Sequence, residues 1–344
     1  VDLQDKEPFD VPVPPFGGSS GYELSPDGES VIYESKKLQG KEFAESTNSQ
    51  LYEVSIPSGS TELLTEDLLG YDRDPKFSPN GKKLAWLSME SDGYESDVSD
   101  LVIRDRKSGE QRKVLRESGL YDDITIHHFD WVSEDELVVG APYSGNNQLF
   151  RVLLEKNEVV VQQITETSFN YNRFRVTGNH LLVEREDINH ATEIFRLDIE
   201  TGEAQALTKV NKQIYDNIQT SKVEARIIGT SDDKRMHSWV IYPPEFDPEK
   251  SYPTLLYCQG GPQAMVSQFY SFRWNFQLMA AQGYIVIAPN RRGLPGFGRE
   301  WKEAISGDWG GQAMDDYLSA IDDIAREPYV DQERLGCVGA SYGG

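Results

Sequence analysis

One pentapeptide has residue types and spacing suited to covalent chemistry: Gly339-Ala340-Ser341-Tyr342-Gly343, a Gly-x-Ser-x-Gly placed directly after the apolar run Leu335–Gly339. A serine hydroxyl is a weak nucleophile at its ordinary pKa, so acyl transfer through it needs an adjacent base and N–H donors for the oxyanion that forms. On a sharp strand-to-helix turn the hydroxyl is thrust out at the end of a strand. The flanking positions must then be glycine, because side chains there would meet the neighbouring strand and helix. The turn supplies one oxyanion donor, the N–H of Tyr342, and the second comes from the loop after an earlier strand. Gln259-Gly260-Gly261-Pro262 follows the apolar run Pro253–Cys258 and stands in that place, with the Gly261 N–H as the expected donor. The plainer alternatives are an ordinary strand-end turn for the pentapeptide and a simple strand terminator for the loop.

In such a site the chain order is Ser, then Asp or Glu, then His. Only three residues follow Ser341, and His127, His128, His180, His190 and His237 all precede it. These histidines read as surface or satisfied structural residues. The catalytic acid and histidine are therefore expected beyond Gly344, in the roughly 100–150 residues that a domain of ordinary size would still need. Cys258 and Cys337 lie in apolar runs and read as buried free thiols, not as a disulfide or a metal site. No metal and no cofactor is expected.

The elements that must position these residues begin after Lys222, where strands alternate with helices. Val223–Thr230 and Met236–Tyr242 read as an antiparallel pair about the turn Ser231-Asp232-Asp233. Strands follow at Pro253–Cys258, Tyr284–Pro289 and Leu335–Gly339. Helices are expected at about Tyr270–Gln282 and Gln312–Arg326, the second with Met314, Tyr317, Leu318, Ile321 and Ile324 on one face. This alternation predicts a mostly parallel, doubly wound sheet whose ligand site lies at the carboxyl ends of its strands, where both glycine-rich loops fall.

The first two thirds carry a repeat instead. Leu24-Ser25-Pro26-Asp27-Gly28 precedes the strand Val31–Ser35, and Phe77-Ser78-Pro79-Asn80-Gly81 precedes Leu84–Ser88; weaker copies stand at Trp131–Asp135 and Val176–Asn179. A second signature, strand–turn–strand, has its turns at positions 59, 109, 157 and 202, spaced by 50, 48 and 45. Two signatures sharing a period of ~40–50 residues with about four short strands each describe the blades of a β-propeller. About four blades are visible, against the alternative of unrelated β-meanders or a sandwich, and residues 1–20 read as the tail of a preceding blade. The expected division is a partial propeller over 1–221 followed by the strand–helix domain over 222–344.

Composition agrees with two domains. The chain has 344 residues, longer than the roughly 250–300 at which single cores stop growing. Its 34 basic and 57 acidic side chains leave a formal charge of −23, which argues against nucleic acid and against docking on an anionic membrane. No apolar run approaches the ~18 residues of a spanning helix. The opening VDLQDKEPFDVPVPP has acids and prolines where a secretory signal would have a basic start and an apolar middle. A periplasmic location is the working expectation, with a cytoplasmic one as the alternative.

Taken together, a propeller leading into such a domain resembles the prolyl oligopeptidase family of serine peptidases, and the bacterial dipeptidyl-peptidase 5 branch within it. The likeness rests on Tyr257–Gln263, Arg273–Gln277, Ala288–Gly298, Ser306–Gly311 and Leu335–Gly344. It implies a β-propeller followed by an α/β-hydrolase domain, here cut off after the nucleophile elbow; the family's seven or eight blades would put about half the propeller outside this chain. It also implies Ser341 as the acylated nucleophile with Gly261 and Tyr342 amides as the oxyanion hole. Gln259 stands where some relatives place a tyrosine whose hydroxyl assists the oxyanion. The implied activity is removal of dipeptides from the N-termini of short peptides, after small or hydrophobic residues. A homodimer is allowed for.

An exopeptidase must offset the burial of a charged α-amine with carboxylates. The acidic runs Asp122-Asp123 and Glu134-Asp135-Glu136 nevertheless read as solvated loops, and no amine anchor or other substrate-binding residue is assigned. Arg291-Arg292 read chiefly as structural ion-pair partners, with contact to substrate carbonyls as the alternative. Competing functions are an acylaminoacyl-peptidase or oligopeptidase, less readily an esterase, and a non-catalytic propeller binding module.

Overall fold

Four four-stranded sheets, each with its strands in sequential order, make up the first two thirds of the chain. In this computed structural model, which describes Phe9, Val11 and residues 21–344, they comprise β1 (Tyr22–Leu24), β2 (Ser30–Ser35), β3 (Gln50–Ser55) and β4 (Thr61–Leu63); β5 (Asp72–Phe77), β6 (Lys83–Ser88), β7 (Asp100–Asp105) and β8 (Gln111–Lys113); β9 (His128–Ser133), β10 (Glu136–Tyr143), β11 (Asn146–Leu154) and β12 (Val159–Gln163); and β13 (Asn170–Thr177), β14 (His180–Asp187), β15 (His190–Asp198) and β16 (Ala204–Ala206). Short helices α1 (Gly40–Glu45), α2 (Val114–Ser118) and α3 (Lys212–Tyr215) interrupt them. The expected blade tail at residues 1–20 lies outside the described residues, apart from Phe9 and Val11.

The recurring turns fold the same way each time. Ser25 Oγ donates to Asp27 Oδ1 (2.6 Å) and accepts from the Ser30 N–H (2.9 Å), while Ser78 Oγ donates to Asn80 Oδ1 (3.2 Å) and accepts from the Lys83 N–H (3.1 Å). Gly28 and Gly81 follow at φ 75° and 71°, which a residue without Cβ adopts readily. In the second signature one acid closes the turn. Asp105 Oδ1 accepts from Lys107 N–H and Ser108 N–H, and Asp198 Oδ1 from Glu200 N–H and Thr201 N–H. Part of the chain's acidity is thus turn chemistry.

Two compact units divide the chain: residues 1–140 with 150–162, and residues 141–149 with 163–344. The first has a core that includes Ile32, Leu51, Phe77, Leu84, Trp86 and Val102. By compactness, then, the fourth four-stranded sheet groups with the strand–helix region, although the period changes only near residue 222. Polar ties account for this. Asn170 Nδ2 donates to Ser267 Oγ (2.8 Å), Ile188 N–H to Gln268 Oε1 (3.1 Å) and Ser221 N–H to Gln277 Oε1 (2.8 Å).

Within the second unit lies a five-stranded sheet of β17 (Val223–Gly229), β18 (Arg235–Ile241), β19 (Tyr252–Cys258), β20 (Ile285–Pro289) and β21 (Val330–Gly339), in the order β17-β18-β20-β19-β21. The sheet is mixed, not mostly parallel. β19 runs parallel to β20 and β21, but β18 is antiparallel to both β17 and β20 because the short turn at Ser231–Asp233 reverses the chain. Helices α4 (Phe276–Ala281), α5 (Arg299–Glu303) and α6 (Gln312–Ile324) cover its faces. Trp239, Ile241, Val286 and Ala288 pack with Phe276 and Ala280; Met236, Val240, Ile285 and Ile287 pack with Trp301, Tyr317, Ala320 and Ile324. Burial on both faces explains why these strands are apolar without alternation.

Two helices differ from expectation. The one expected at Tyr270–Gln282 is only α4, because Ser271 Oγ accepts from the Arg273 and Trp274 N–H groups and holds a turn there, and Asn275 then caps the helix by accepting from the Leu278 N–H (3.0 Å). On α6 the buried stripe is Ala313, Asp316, Tyr317, Ala320 and Ile324, whereas Met314 and Leu318 are exposed.

Candidate active site

The Gly-x-Ser-x-Gly turn joins β21 to a 3₁₀ turn over Ser341–Gly343, and Ser341 sits there at φ 58°. A left-handed backbone at a non-glycine residue costs of order 1–3 kcal/mol, so the surroundings must enforce it. They do so by close approach. A Cβ on Gly339 would stand 2.0 Å from Gly343 O, and one on Gly343 would stand 2.1 Å from Cys258 O at the end of β19. Both glycines are therefore demanded by backbone against backbone. Gly343 N–H donates to Ala340 O (3.0 Å) and Gly344 N–H to Ser341 O (3.0 Å), which leaves the Tyr342 N–H outside the turn's own hydrogen bonds. Ser341 is exposed.

Beside this turn runs the loop that follows β19. A Cβ on Gly260 would stand 3.0 Å from Ala340 O and 3.8 Å from Ser341 Cβ, so the loop passes directly against the serine. Gly261 adopts φ 126° and is exposed. Ser341, Tyr342 and Gly261 are thus brought to one end of the sheet, at the carboxyl ends of β19 and β21.

Three further side chains organise this end. Arg291 is fully buried; it donates to Pro262 O (3.0 Å), Gln259 O (3.3 Å), Arg292 O (2.6 Å) and Tyr317 Oη (3.2 Å). Tyr317 Oη in turn donates to Gln259 O (3.1 Å), and burial pushes its hydroxyl up to about 12. The guanidinium carbon of Arg291 lies 4.3 Å from the centroid of the Tyr342 ring. On the far side, Tyr342 Oη donates to Trp309 O, and the two rings meet edge to face at 5.6 Å. These roles were missed in the sequence; the only signal was that Asn290–Gly298 and Ser306–Gly311 are runs whose composition no simple loop requires.

Arg292 matches its reading as an ion-pair partner. Its buried guanidinium bonds Asp232 (2.7 Å to Oδ2) and Asp316 (3.2 Å to Oδ1), and its N–H donates to Asp316 Oδ2 (2.9 Å). Hydrogen bonds from Arg292 hold the Asp232 carboxyl well below the usual range, while burial raises Asp316. The arginines are thus placed in the protein's own fabric, one on loop carbonyls and one on carboxylates.

The histidines serve elsewhere. His190 faces Asp187 (2.9 Å), His180 faces Asp198 (3.7 Å), and His237 lies half-buried against Trp239 and Phe297, where loss of solvation pulls it down to about 4. In the acidic runs, Asp135 pairs with Lys83 (2.6 Å) and Glu136 with Arg151 (2.6 Å). Both cysteines are free, but Cys258 is half-buried and Cys337 exposed, contrary to the expectation of buried thiols; burial raises the Cys258 thiol to about 11. Among the described residues no cluster of His, Cys, Asp and Glu could hold a metal ion, and no helix is long and apolar enough to cross a membrane.

Comparison with known proteins shows what the chain is similar to. Residues 270–344 match the model of the prolyl oligopeptidase family. The whole chain aligns with dipeptidyl-peptidase 5 of Porphyromonas gingivalis at 43% identity, covering 49% of that protein, and with its counterpart from Porphyromonas endodontalis at 41%, again covering 49%. The chain therefore spans about half the length of the curated relatives it matches. Among solved structures, an acylaminoacyl peptidase of Pyrococcus horikoshii superposes with a TM-score of 0.77 at 20% identity, over 94% of this chain and 48% of that one. Dipeptidyl peptidase 4 of Porphyromonas gingivalis gives 0.66 at 17%, over 94% and 46%; these two establish likeness of fold alone. The segment that carries the Ser341 turn is thus similar to the prolyl oligopeptidase family over residues 270–344, and the full length is similar to two dipeptidyl-peptidase 5 proteins of which it covers 49%.

Proposed function

We propose that this chain is the nucleophile-bearing part of a serine exopeptidase that releases dipeptides from the N-termini of short peptides, built as a partial β-propeller over 1–221 and an α/β-hydrolase portion over 222–344. The observation that carries the reading is Ser341 at φ 58°, held out by glycines that abut Cys258 O and flanked by the Gly260-Gly261 loop. In this mechanism Ser341 Oγ attacks the scissile carbonyl carbon, and its proton passes to a histidine base, which the elbow order places later in the chain than the serine. The N–H groups of Gly261 and Tyr342 receive the oxyanion. Collapse breaks the C–N bond, the protonated amine of the shortened peptide leaves, and water then cleaves the ester to free the dipeptide. The four recurring sheets support a propeller, and the alignment to dipeptidyl-peptidase 5 supports the exopeptidase class.

The test is made on the full-length protein. A fluorophosphonate should label Ser341, and free-amine dipeptide anilides should be cleaved in preference to their N-acylated forms. Preference for the blocked substrates would instead indicate an acylaminoacyl-peptidase, and failure to label would leave only a binding module.

A further inference from the structure

We propose that Arg291 is the positioning residue of the oxyanion hole, acting at once on the Gln259–Pro262 loop and on the Tyr342 ring; this rests on the reading of Ser341 as the acylated nucleophile. A Gly-Gly pair is the least self-ordering dipeptide, yet stabilisation of an oxyanion depends on donors fixed before the reaction. Something outside Gly260-Gly261 must hold it.

Arg291 has the means. Two of its acceptors, Gln259 O at 3.3 Å and Pro262 O at 3.0 Å, bracket the glycine pair. Each peptide unit is planar, so these bonds fix the planes that carry the Gly260 and Gln263 N–H groups and clamp the intervening Gly260–Gly261 peptide, whose N–H is the donor, from both ends. Tyr317 Oη, itself bonded by Arg291, doubles the hold on Gln259 O. The other face of the same guanidinium lies 4.3 Å from the Tyr342 ring, within cation–π range, and Tyr342 carries the second donor N–H. One rigid planar group thus ties both arms of the hole together.

The energetics favour a functional reason for this placement. Arg291 is fully buried, and its bonded partners are carbonyls and a hydroxyl, with no carboxylate among them. Burying a cation on such terms is unfavourable compared with filling the same volume with apolar groups. Lysine could not replace it, because an ammonium is a point charge without the fork that reaches several acceptors in one plane.

The experiment compares full-length wild type with Arg291→Lys and Tyr317→Phe, measuring kcat and KM on a free-amine dipeptide anilide, inhibition by a dipeptidyl aldehyde, fluorophosphonate labelling, and thermal unfolding. Arg291→Lys should lower kcat about 10²-fold, the scale of losing one oxyanion donor, with KM within about twofold. Aldehyde affinity should fall by a similar factor, because the aldehyde adduct resembles the transition state. Tyr317→Phe should show the same pattern at about 5–10-fold, the loss of one modest hydrogen bond. A folded Arg291→Lys enzyme with wild-type kcat, or with its loss in KM alone, overturns the proposal. If Arg291→Lys does not fold, an unchanged kcat in Tyr317→Phe overturns it. A wild type that does not label at Ser341 overturns the nucleophile reading instead, so the two failures are separable.

Discussion

Gly343→Ala is the sharpest test of the turn. The added Cβ would stand 2.1 Å from Cys258 O and 2.8 Å from Cys258 C, both backbone atoms of a strand hydrogen-bonded on either side. Neither can swing aside as a side-chain tip would, so the turn must move by roughly 1 Å to reach ordinary contact, and misplacement on that scale costs ~10²-fold in rate. Forcing the extra group in should also lower stability by about 1–3 kcal/mol. Gly336→Ala on β21 is the control, since among the described residues its Cβ would meet only Leu255 Cδ2 at 3.3 Å, the far end of a flexible side chain. The measurement is the second-order rate of fluorophosphonate labelling in the full-length protein, alongside thermal unfolding. The expected result is a ~10²-fold slower Gly343→Ala and a near-normal Gly336→Ala. Equal labelling rates and melting temperatures for Gly343→Ala and wild type would refute the close-approach argument.

Two further outcomes concern stability. Burial raises Asp72 and Glu34 to about 7, so folding takes up protons between the unfolded carboxyl range near 4 and about 7. Their contribution is fully present below that window and lost as pH rises through it, so melting temperature should fall from pH 5 to pH 8; Asp72→Asn should flatten the profile by an amount of order 1–3 kcal/mol. A profile unaltered by the substitution would contradict this assignment. Arg292→Met should destabilise by about 3–5 kcal/mol because it strands the buried Asp316 carboxylate, and Arg292→Met combined with Asp316→Leu should recover much of that loss in denaturant titration.

Much of this architecture was legible before any coordinates. The Pro-Asp-Gly and Pro-Asn-Gly turns announced the four-stranded sheets because their hydrogen bonds are local, closed within six residues of Ser25 and Ser78. The glycines of the Ser341 turn were legible for the opposite reason: the constraint is so severe that only one residue type survives it. What escaped were terms set by single side chains and by long-range pairing. The start of α4 hinges on one Ser271 hydroxyl, and the place of the β17–β18 hairpin in the sheet on the pairing of β18 with β20, about fifty residues away along the chain. Asp105 and Asp198 were counted only as charge, though each closes a turn.

Arg291 shows why such terms resist pattern reading. Its neighbour Arg292 has the same residue type, yet one guanidinium neutralises carboxylates while the other serves loop carbonyls and a ring. Successive residues leaving a strand point to different sides, so adjacency in sequence separates the two in space. Arg292 faces Asp232 in the β17–β18 turn and Asp316 on α6, and so ties elements of the scaffold together. Arg291 faces the ends of β19 and β21, where the chain bends too sharply to hold itself. A strained serine turn and a glycine-rich loop are each soft alone; stiffness at this site has to come from a third element, and the buried guanidinium that reaches both is the group placed to provide it.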